Sequence, residues 1–543
     1  MRSLASVAIG AGFACVTLAM LVQGVLPALI PESRSANVTR AVRTELGDVK
    51  WIRAAASDYT DAEARGRRVY IREGCWYCHS QYVRPVTRED LRWGPVSEAG
   101  EYAYDLPHLL STRRIGPDLT RVGLKYADDW HYAHHWDPRL VVPDSIMPSF
   151  RWLFHAMTAR IARAGDEVRL EETGPLRRWF TFRRDRTVLL VPNADGLTFV
   201  PPVPHARLPI DATPIVDLSQ LPGAGISVVR LVTPTEELVD LVRYLQKLGM
   251  NRGAWRDAFE PQNIGVSGMS VPARPDLVDR GRVVYRHRCA GCHGADGDGN
   301  GPAATFLSPR PRDFTAAVFK FRSTPSGSLP TDGDLYRTIT RGVRWTAMPT
   351  WHELPDKDRL AVLAFIKTFS KRWNEEAPEA PLAPVPAAAS VELIARGSQL
   401  YDKAKCWECH GESGRGDGPS ASHLKDDFDR PVRPTDLTRG QLKGGAQVAD
   451  VFRTMTNGLD GTPMPSFADT MSDAERWAIS YYVLSLSAWA DPLTGATLTL
   501  PRGAREALNS RAVAADHPRR AWTPDGEPAV ASARRRYYPG ISD

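Results

Sequence analysis

Beyond residue 30 the 543-residue chain has no further apolar run of the length a membrane helix needs. Its 13 histidines include no set suited to a copper site. It therefore lacks the many-helix body of an integral membrane catalyst and cannot by itself reduce oxygen. It also lacks a strong excess of one charge. The formal net charge is +6, which is weak ground for a nucleic-acid partner. Cysteine is scarce, at seven residues. Proline (43) and glycine (42) are plentiful, which fits small loop-rich domains better than long-helix architecture. The length exceeds what one core supports and implies three or four domains.

Six of the seven cysteines fall in three copies of one pattern: Cys75-Trp-Tyr-Cys78-His79, Cys289-Ala-Gly-Cys292-His293 and Cys406-Trp-Glu-Cys409-His410. The spacing C-x-x-C-H is the attachment signature of haem c. Two thiols one turn apart reach the two vinyl groups of one porphyrin, and the next residue places an imidazole under the iron. Structural zinc needs four ligands, usually from two nearby halves. Here the pairs lie more than a hundred residues apart and each has its own His. Disulfides would leave that His unexplained. The expected cofactor is three covalently bound haem c groups, with Cys75, Cys78, Cys289, Cys292, Cys406 and Cys409 as thioether residues. His79, His293 and His410 are the proximal ligands. Six propionates would nearly cancel the formal charge.

Residues Leu4 to Ile30 are apolar and uncharged, long enough to span a bilayer. A signal peptide would have a shorter apolar region and a small-x-small cleavage site, and Val25-Leu26-Pro27-Ala28-Leu29-Ile30 offers no clean one. An uncleaved anchor over 1–30 is expected, with Cys15 as a small apolar filler. Arg2 alone precedes the span, while Arg34, Arg40, Arg43 and Lys50 follow it, so charge gives no support for orientation. Haem c attachment outside the cytoplasm does. The haem domains should face the periplasm from the cytoplasmic membrane.

Each haem motif sits in a repeated unit. A stretch with Gly-x-x-x-Tyr opens it: Gly66/Tyr70, Gly281/Tyr285 and Gly397/Tyr401. A glycine and an aromatic ring one turn apart let a second helix approach closely. A helical pattern closes each unit, at 235–249, 356–369 and 472–486, with acids in the first turn. Leu238, Leu241, Val242 and Leu245 form one apolar face. Two helices crossing beside a haem resemble the class I cytochrome c domain. Such domains complete the iron with a distal methionine. Met147, Met348 and Met464 each precede a proline, 68, 55 and 54 residues after the haem-site His. They are the candidate sixth ligands. A thioether favours ferrous iron and raises the potential. Arg121, Arg312 and Arg433 are candidate donors to propionates, with solvated loop arginines as the alternative.

The expected fold is mainly α. A transmembrane helix over 1–30 precedes three cytochrome c-like helical haem domains, at 51–250, 273–372 and 391–490. The first carries a small β insertion near 156–232, because Arg186–Val191 and Leu197–Val200 flank a turn with Asp195-Gly196 and read as a hairpin. A Pro/Ala linker covers 373–390. The tail, 491–543, is basic and extended; from Pro501 it holds eight Arg against five acids. His131, His134 and His135 share a helical stretch. A metal site is conceivable there, but no carboxylate or Cys completes the set, and a polar face or partner contact is the preferred reading.

The first unit resembles something narrower. The runs Cys78-His79-Ser80-Gln81-Tyr-Val-Arg84-Pro85, Ala99-Gly-Glu-Tyr-Ala-Tyr-Asp105, Arg114-Ile-Gly-Pro-Asp-Leu-Thr-Arg-Val-Gly123, Asp128-Asp-Trp-His131 and Val142-Pro-Asp-Ser-Ile-Met147 are similar to the membrane-anchored monohaem subunit (subunit II) of cbb-type haem-copper cytochrome c oxidases. The resemblance covers about 64–154 and 234–249. It implies that Met147 and His79 ligate the iron held by Cys75 and Cys78. It implies an electron-transfer subunit, not itself an enzyme. Its partners would be an integral-membrane haem-copper catalytic subunit and a soluble or membrane-bound electron donor, with no nucleic acid. Two further haem units on the same chain depart from that subunit and suggest that two accessory roles are fused. Service to another membrane oxidoreductase, such as a nitric oxide reductase, is the alternative. A multihaem peroxidase would need one iron without a sixth protein ligand.

Overall fold

The computed structural model describes residues 3–486, except 30–35, 44–48, 57, 88, 95, 124, 162–166, 178–179, 194–195, 201–226, 249–267, 308, 345, 353, 383, 386, 388–389, 428–431, 440–441 and 446. The basic tail expected over 491–543 lies outside the described residues, as does part of the insertion.

The apolar N-terminal run forms α1 (Leu4–Met20), capped where the Ser3 hydroxyl accepts from the amide of Ser6. The winding widens to a π turn over Leu21–Val25 and continues through Leu26–Leu29. Its large apolar side chains are exposed on every side, Leu4 and Phe13 among them. Such a helix has no core-facing stripe and needs an apolar surrounding. Among the described residues it is the one helix long and apolar enough to cross a membrane. A short antiparallel hairpin follows, β1 (Asn37–Arg43) on β2 (Val49–Ala55).

Unit one contains α2 (Asp61–Arg72), α3 (Asp128–Trp136) and α4 (Glu236–Lys247). Unit two contains α5 (Pro275–Arg288), α6 (Asp332–Arg341) and α7 (Asp356–Lys367). Unit three contains α8 (Val391–Lys403), α9 (Val448–Asn457) and α10 (Asp473–Leu486). In every unit the first helix crosses the last, at α2–α4, α5–α7 and α8–α10. The crossing is built identically three times. Gly66, Gly281 and Gly397 lie against the carbonyls of Asp240, Ala361 and Ala478, with no room for a β-carbon. One turn on, Tyr70, Tyr285 and Tyr401 pack on Tyr244, Phe365 and Tyr482, each pair 5.3 Å between ring centres. Helix starts are locally encoded. The Thr60 hydroxyl and the Glu63 carboxylate close a capping box on α2, and Thr235 caps α4. Leu238, Leu241, Val242 and Leu245 are buried in the first core with Val69 and Phe154. Each such side chain contributes about 1.5–3 kcal/mol.

The insertion is larger than a hairpin. Strands β3 (Phe154–Ile161), β4 (Glu167–Arg177), β5 (Phe180–Asn193), β6 (Gly196–Val200) and β7 (Ser227–Pro234) form one antiparallel sheet in the order β6-β5-β4-β3-β7. The expected hairpin is its β5–β6 edge, with Asn193 opposite Gly196. Phe154 stands opposite Pro234, and the Thr235 amide donates to the Leu153 carbonyl at 3.0 Å. The insertion thus leaves and rejoins the unit at one point.

The units touch in sequence. Trp130, Ala133 and Val141 of unit one share a core with Ala303, Phe306, Leu307 and Ala347 of unit two. Between units two and three, Arg322 donates to the Asn457 carbonyl at 2.8 Å and to Asp460 at 2.7 Å. The Pro/Ala linker lies against both neighbours. The Leu382 amide donates to the Ser323 carbonyl at 2.7 Å, and the Tyr481 hydroxyl donates to the Ala387 carbonyl at 2.6 Å.

Candidate haem centres

Each C-x-x-C-H motif forms a single tight turn. The amides of His79, His293 and His410 donate to the carbonyls of Cys75, Cys289 and Cys406 at 3.0, 2.9 and 2.9 Å. None of these six cysteines is joined in a disulfide. Burial pushes the thiols of Cys75, Cys289 and Cys292 up to about 12, and that of Cys406 to about 11. The walls around them are apolar, as a porphyrin requires. Each imidazole is fixed in the same way. Nδ1–H donates to a backbone carbonyl, Pro117 for His79 at 2.8 Å, Arg312 for His293 at 3.0 Å and Thr435 for His410 at 3.3 Å. That bond selects the tautomer whose Nε2 lone pair is available to a metal. Burial pushes all three imidazoles down, His293 to about 4, so they stand neutral, as iron ligands must. The residues present fit covalently bound haem.

Around His79 the fit is tight. Gly116 faces the imidazole ring with no space for a β-carbon, and its amide donates to the Cys78 carbonyl at 3.0 Å. Phe314 stacks on His293 at 4.5 Å. In units two and three, Gly294, Gly297 and Gly299 match Gly411, Gly414 and Gly416 at positive φ from 74° to 80°. This is backbone that other residues rarely adopt.

Met147, Met348 and Met464 are each half-buried on a loop, and Met147 packs against the first core. A feature absent from the sequence reading holds all three loops. The residue two before each methionine carries a hydroxyl that accepts the methionine amide: Ser145 at 3.3 Å, Thr346 at 3.1 Å and Thr462 at 3.3 Å. A hydroxyl at Met−2 in all three units is visible in the sequence once sought. The following loops repeat as well. Thr350 donates to the Thr340 carbonyl at 2.7 Å, and Ser466 to that of Thr456 at 2.6 Å.

The three arginines differ in placement. Arg121 is buried against Glu101, which takes both Nη groups. A second arginine, Arg114, binds Glu89, Ser80 and the Tyr82 carbonyl nearby. Arg312 lies beside the His293 ring through its own carbonyl. Arg433 is exposed.

The histidines of α3 do not form a polar face. His131 and His135 are 2% and 4% exposed, and His134 stacks on Trp130 at 4.6 Å. Burial pushes His131 to about 3 and His135 to about 4. The helix is covered on both sides, by the core of unit one and by unit two. Among the described residues no group of three or more His, Cys, Asp or Glu converges as a metal site.

Residues 20–173 match the family model described as cytochrome c oxidase, mono-heme subunit/FixO. Residues 276–366 match cytochrome c oxidase, cbb3-type, subunit III, and residues 394–487 match cytochrome c. The chain is similar to the cbb3-type cytochrome c oxidase subunit CcoP of Azospirillum brasilense, 27% identical over 209 residues, 38% of this chain and 61% of that protein. It is similar to subunit FixP of Azorhizobium caulinodans, 24% identical over 262 residues, 46% of this chain and 72% of that protein. It therefore spans about 61% of the length of the first relative. Among solved structures, the Kuenenia stuttgartiensis reducing HAO-like protein complex Kustc0457/Kustc0458 contains a chain 44% identical, fully covered, over 40% of this chain, with a TM-score of 0.39. Cytochrome c domains bind haem c covalently, so this chain is a multidomain c-type cytochrome related to the cytochrome subunits of cbb3-type oxidases, its first unit akin to the mono-haem subunit and its second and third built as cytochrome c domains.

Proposed function

We propose that the chain holds three haem c groups, one per unit, and relays electrons to the integral-membrane catalytic subunit of a cbb3-type haem-copper oxygen reductase. It is an electron-transfer subunit and not itself the enzyme. The bound iron supplies a one-electron ferric–ferrous couple. His79 with Met147, His293 with Met348 and His410 with Met464 would hold the iron of the three haems, which would suit electron transfer rather than substrate binding. The thioether ligands favour the reduced state and keep the potentials high. Hydrogen-bonded imidazoles and hydroxyl-anchored methionine loops limit rearrangement between redox states.

The observation that carries this reading is the contact between units one and two. Cys292, a thioether residue of unit two, packs in the shared core beside Trp130, Leu140 and Val141 of unit one. The carbonyl of Leu140 lies 2.5 Å from where a β-carbon on Gly291 would stand. Unit one thus covers the haem-attachment turn of unit two. Unit three meets unit two elsewhere, through Arg322 and Asp460. Such an order suits electrons arriving at unit three from a soluble or membrane-bound donor and leaving from unit one. The helix α1 holds unit one at the cytoplasmic membrane, with the haem units on the periplasmic side.

Purification of the native complex from host membranes tests this. The chain should recover with a haem-copper polypeptide, and its loss should abolish oxygen uptake from reduced periplasmic donors. Recovery alone, or with the catalytic subunit of a nitric oxide reductase, would overturn it.

A further inference from the structure

A cleft between units two and three, open to solvent, has a cavity volume of about 50 Å³. Its walls come from 320–322 and 337–344 of unit two and from 442–445 and 450–458 of unit three. Lys320, Arg337, Arg341, Arg344, Lys443 and Arg453 line it, and Asp450 is the one carboxylate of the lining. Arg322 closes the floor with its Asp460 and Asn457 bonds. The two walls mirror each other. Arg337 donates to Asp334 at 3.0 Å in α6, and Arg453 donates to Asp450 at 2.9 Å in α9. The Nε of Arg453 is buried without a hydrogen-bond partner.

So many cations in one partly buried space repel each other and favour anions. Lys320 is pushed down to about 8 by burial, then by Arg312 and Lys443, while Asp426 opposes. Arg337 is pushed down by burial and by Arg453, against the pull of Asp334.

Both walls run directly into the methionine loops. Gly342 abuts Pro349 and Gly458 abuts Pro465, the residues after Met348 and Met464. Arg312, whose charge reaches Lys320 of the cleft, links the His293 side of unit two to unit three. Its carbonyl holds His293, and its Nη1 lies 3.1 Å from where a β-carbon on Gly461 of unit three would stand. The cysteine side of unit two faces unit one instead. On a porphyrin the vinyl-bearing half, which the cysteines take, lies opposite the half carrying the propionates.

We propose that this cleft is a shared carboxylate site that receives propionates from both the second and the third haem. Lys320 and Lys443 act as positioning residues for the two cofactors at once. The inference deepens the relay reading and rests on haem attachment in units two and three. It makes the potentials of these two haems interdependent, since each cation in the cleft faces both. Removing a cation favours the oxidised iron, which carries the greater positive charge.

The test uses full-length holoprotein purified from host membranes, with Lys320→Gln and Lys443→Gln, one on each wall. Redox titration of each variant should show the midpoint potentials of the second and third haems both shifted downward and that of the first unmoved. Parallel backgrounds with Met348→His or Met464→His assign the haems. Lys357→Gln, at an exposed lysine of unit two outside the cleft, should move none. A retained Met–iron absorption band shows that the crevices are intact, and if one wall's variant loses it the other is read. A shift confined to the haem of the substituted unit, or no shift, overturns the proposal. Intact mass reports haem attachment separately, so a missing haem and an indifferent cleft give different results.

Discussion

Asp240 presents its backbone carbonyl to the space a side chain on Gly66 would need, and this contact sets how closely α2 and α4 cross in the first unit. The same relation recurs between Gly281 and Ala361 and between Gly397 and Ala478. The facing group is backbone, which cannot rotate aside. Gly66→Ala, Gly281→Ala and Gly397→Ala should therefore each force the helices apart at a cost of about 1–3 kcal/mol or more. Thermal unfolding followed at the haem absorbance should show one unit melting earlier in each variant. An unchanged melt in all three would contradict the crossing.

Arg322 has a fully buried guanidinium bound to Asp460, which is 15% exposed. Ser326 and the Gly327 amide also bind Asp460, at 3.0 and 2.9 Å. Arg322→Gln leaves that carboxylate short of its charge partner. Loss of one member of a buried pair costs about 3–5 kcal/mol. Faster proteolysis within 376–389, where the linker lies on both units, is the expected readout. Equal cleavage rates would show that units two and three are held by something else.

Much of this architecture was legible, and the boundary is physical. The proposed haem attachment would use residues adjacent in the chain, so Cys75 to His79 stands out in the sequence as a candidate. The glycine–tyrosine signal was readable because it lies on one helix. What pairs distant residues was not. The Arg322–Asp460 bond spans 138 residues, and no local pattern marks it. The five-stranded sheet showed only its β5–β6 hairpin, since β3 pairs with β7 across the whole insertion. The α3 histidines read as a polar face because a helix covered on two sides by different units has no polar side to display. Arg121 carried no sign that Glu101 would bind it.

Glu89 accepts both Nη groups of Arg114, at 2.6 and 2.7 Å, and the Nε of Arg84 at 2.8 Å. Arg114 foremost, then Arg84, holds its carboxyl down to about 2 from an ordinary value of 4.5, against the opposing effect of burial. A depressed folded-state value stabilises above the unfolded one, so this contribution is complete above about pH 4.5 and is lost as pH falls toward about 2. Glu89→Gln should lower the denaturant midpoint at pH 7, with the gap from the unmutated protein closing across that window. A gap independent of pH would contradict the assignment.

The Thr346 hydroxyl accepts the Met348 amide at 3.1 Å and donates to the Val343 carbonyl at 2.8 Å. Thr346→Val keeps the shape and removes about 0.5–1.5 kcal/mol of loop order per bond. The Met–iron absorption band of the second haem should disappear at a lower temperature than in the unmutated protein, while the other two persist. Coincident loss of all three, or no change, would show that the hydroxyl does not hold the ligand loop.

The most direct measurement is the intact mass of the chain purified from its own host, taken with its haem absorbance after denaturation. The expected result is a mass above that of the polypeptide by three haem groups, all retained when the fold is destroyed. A chain carrying two or fewer, or losing colour on unfolding, would contradict the account.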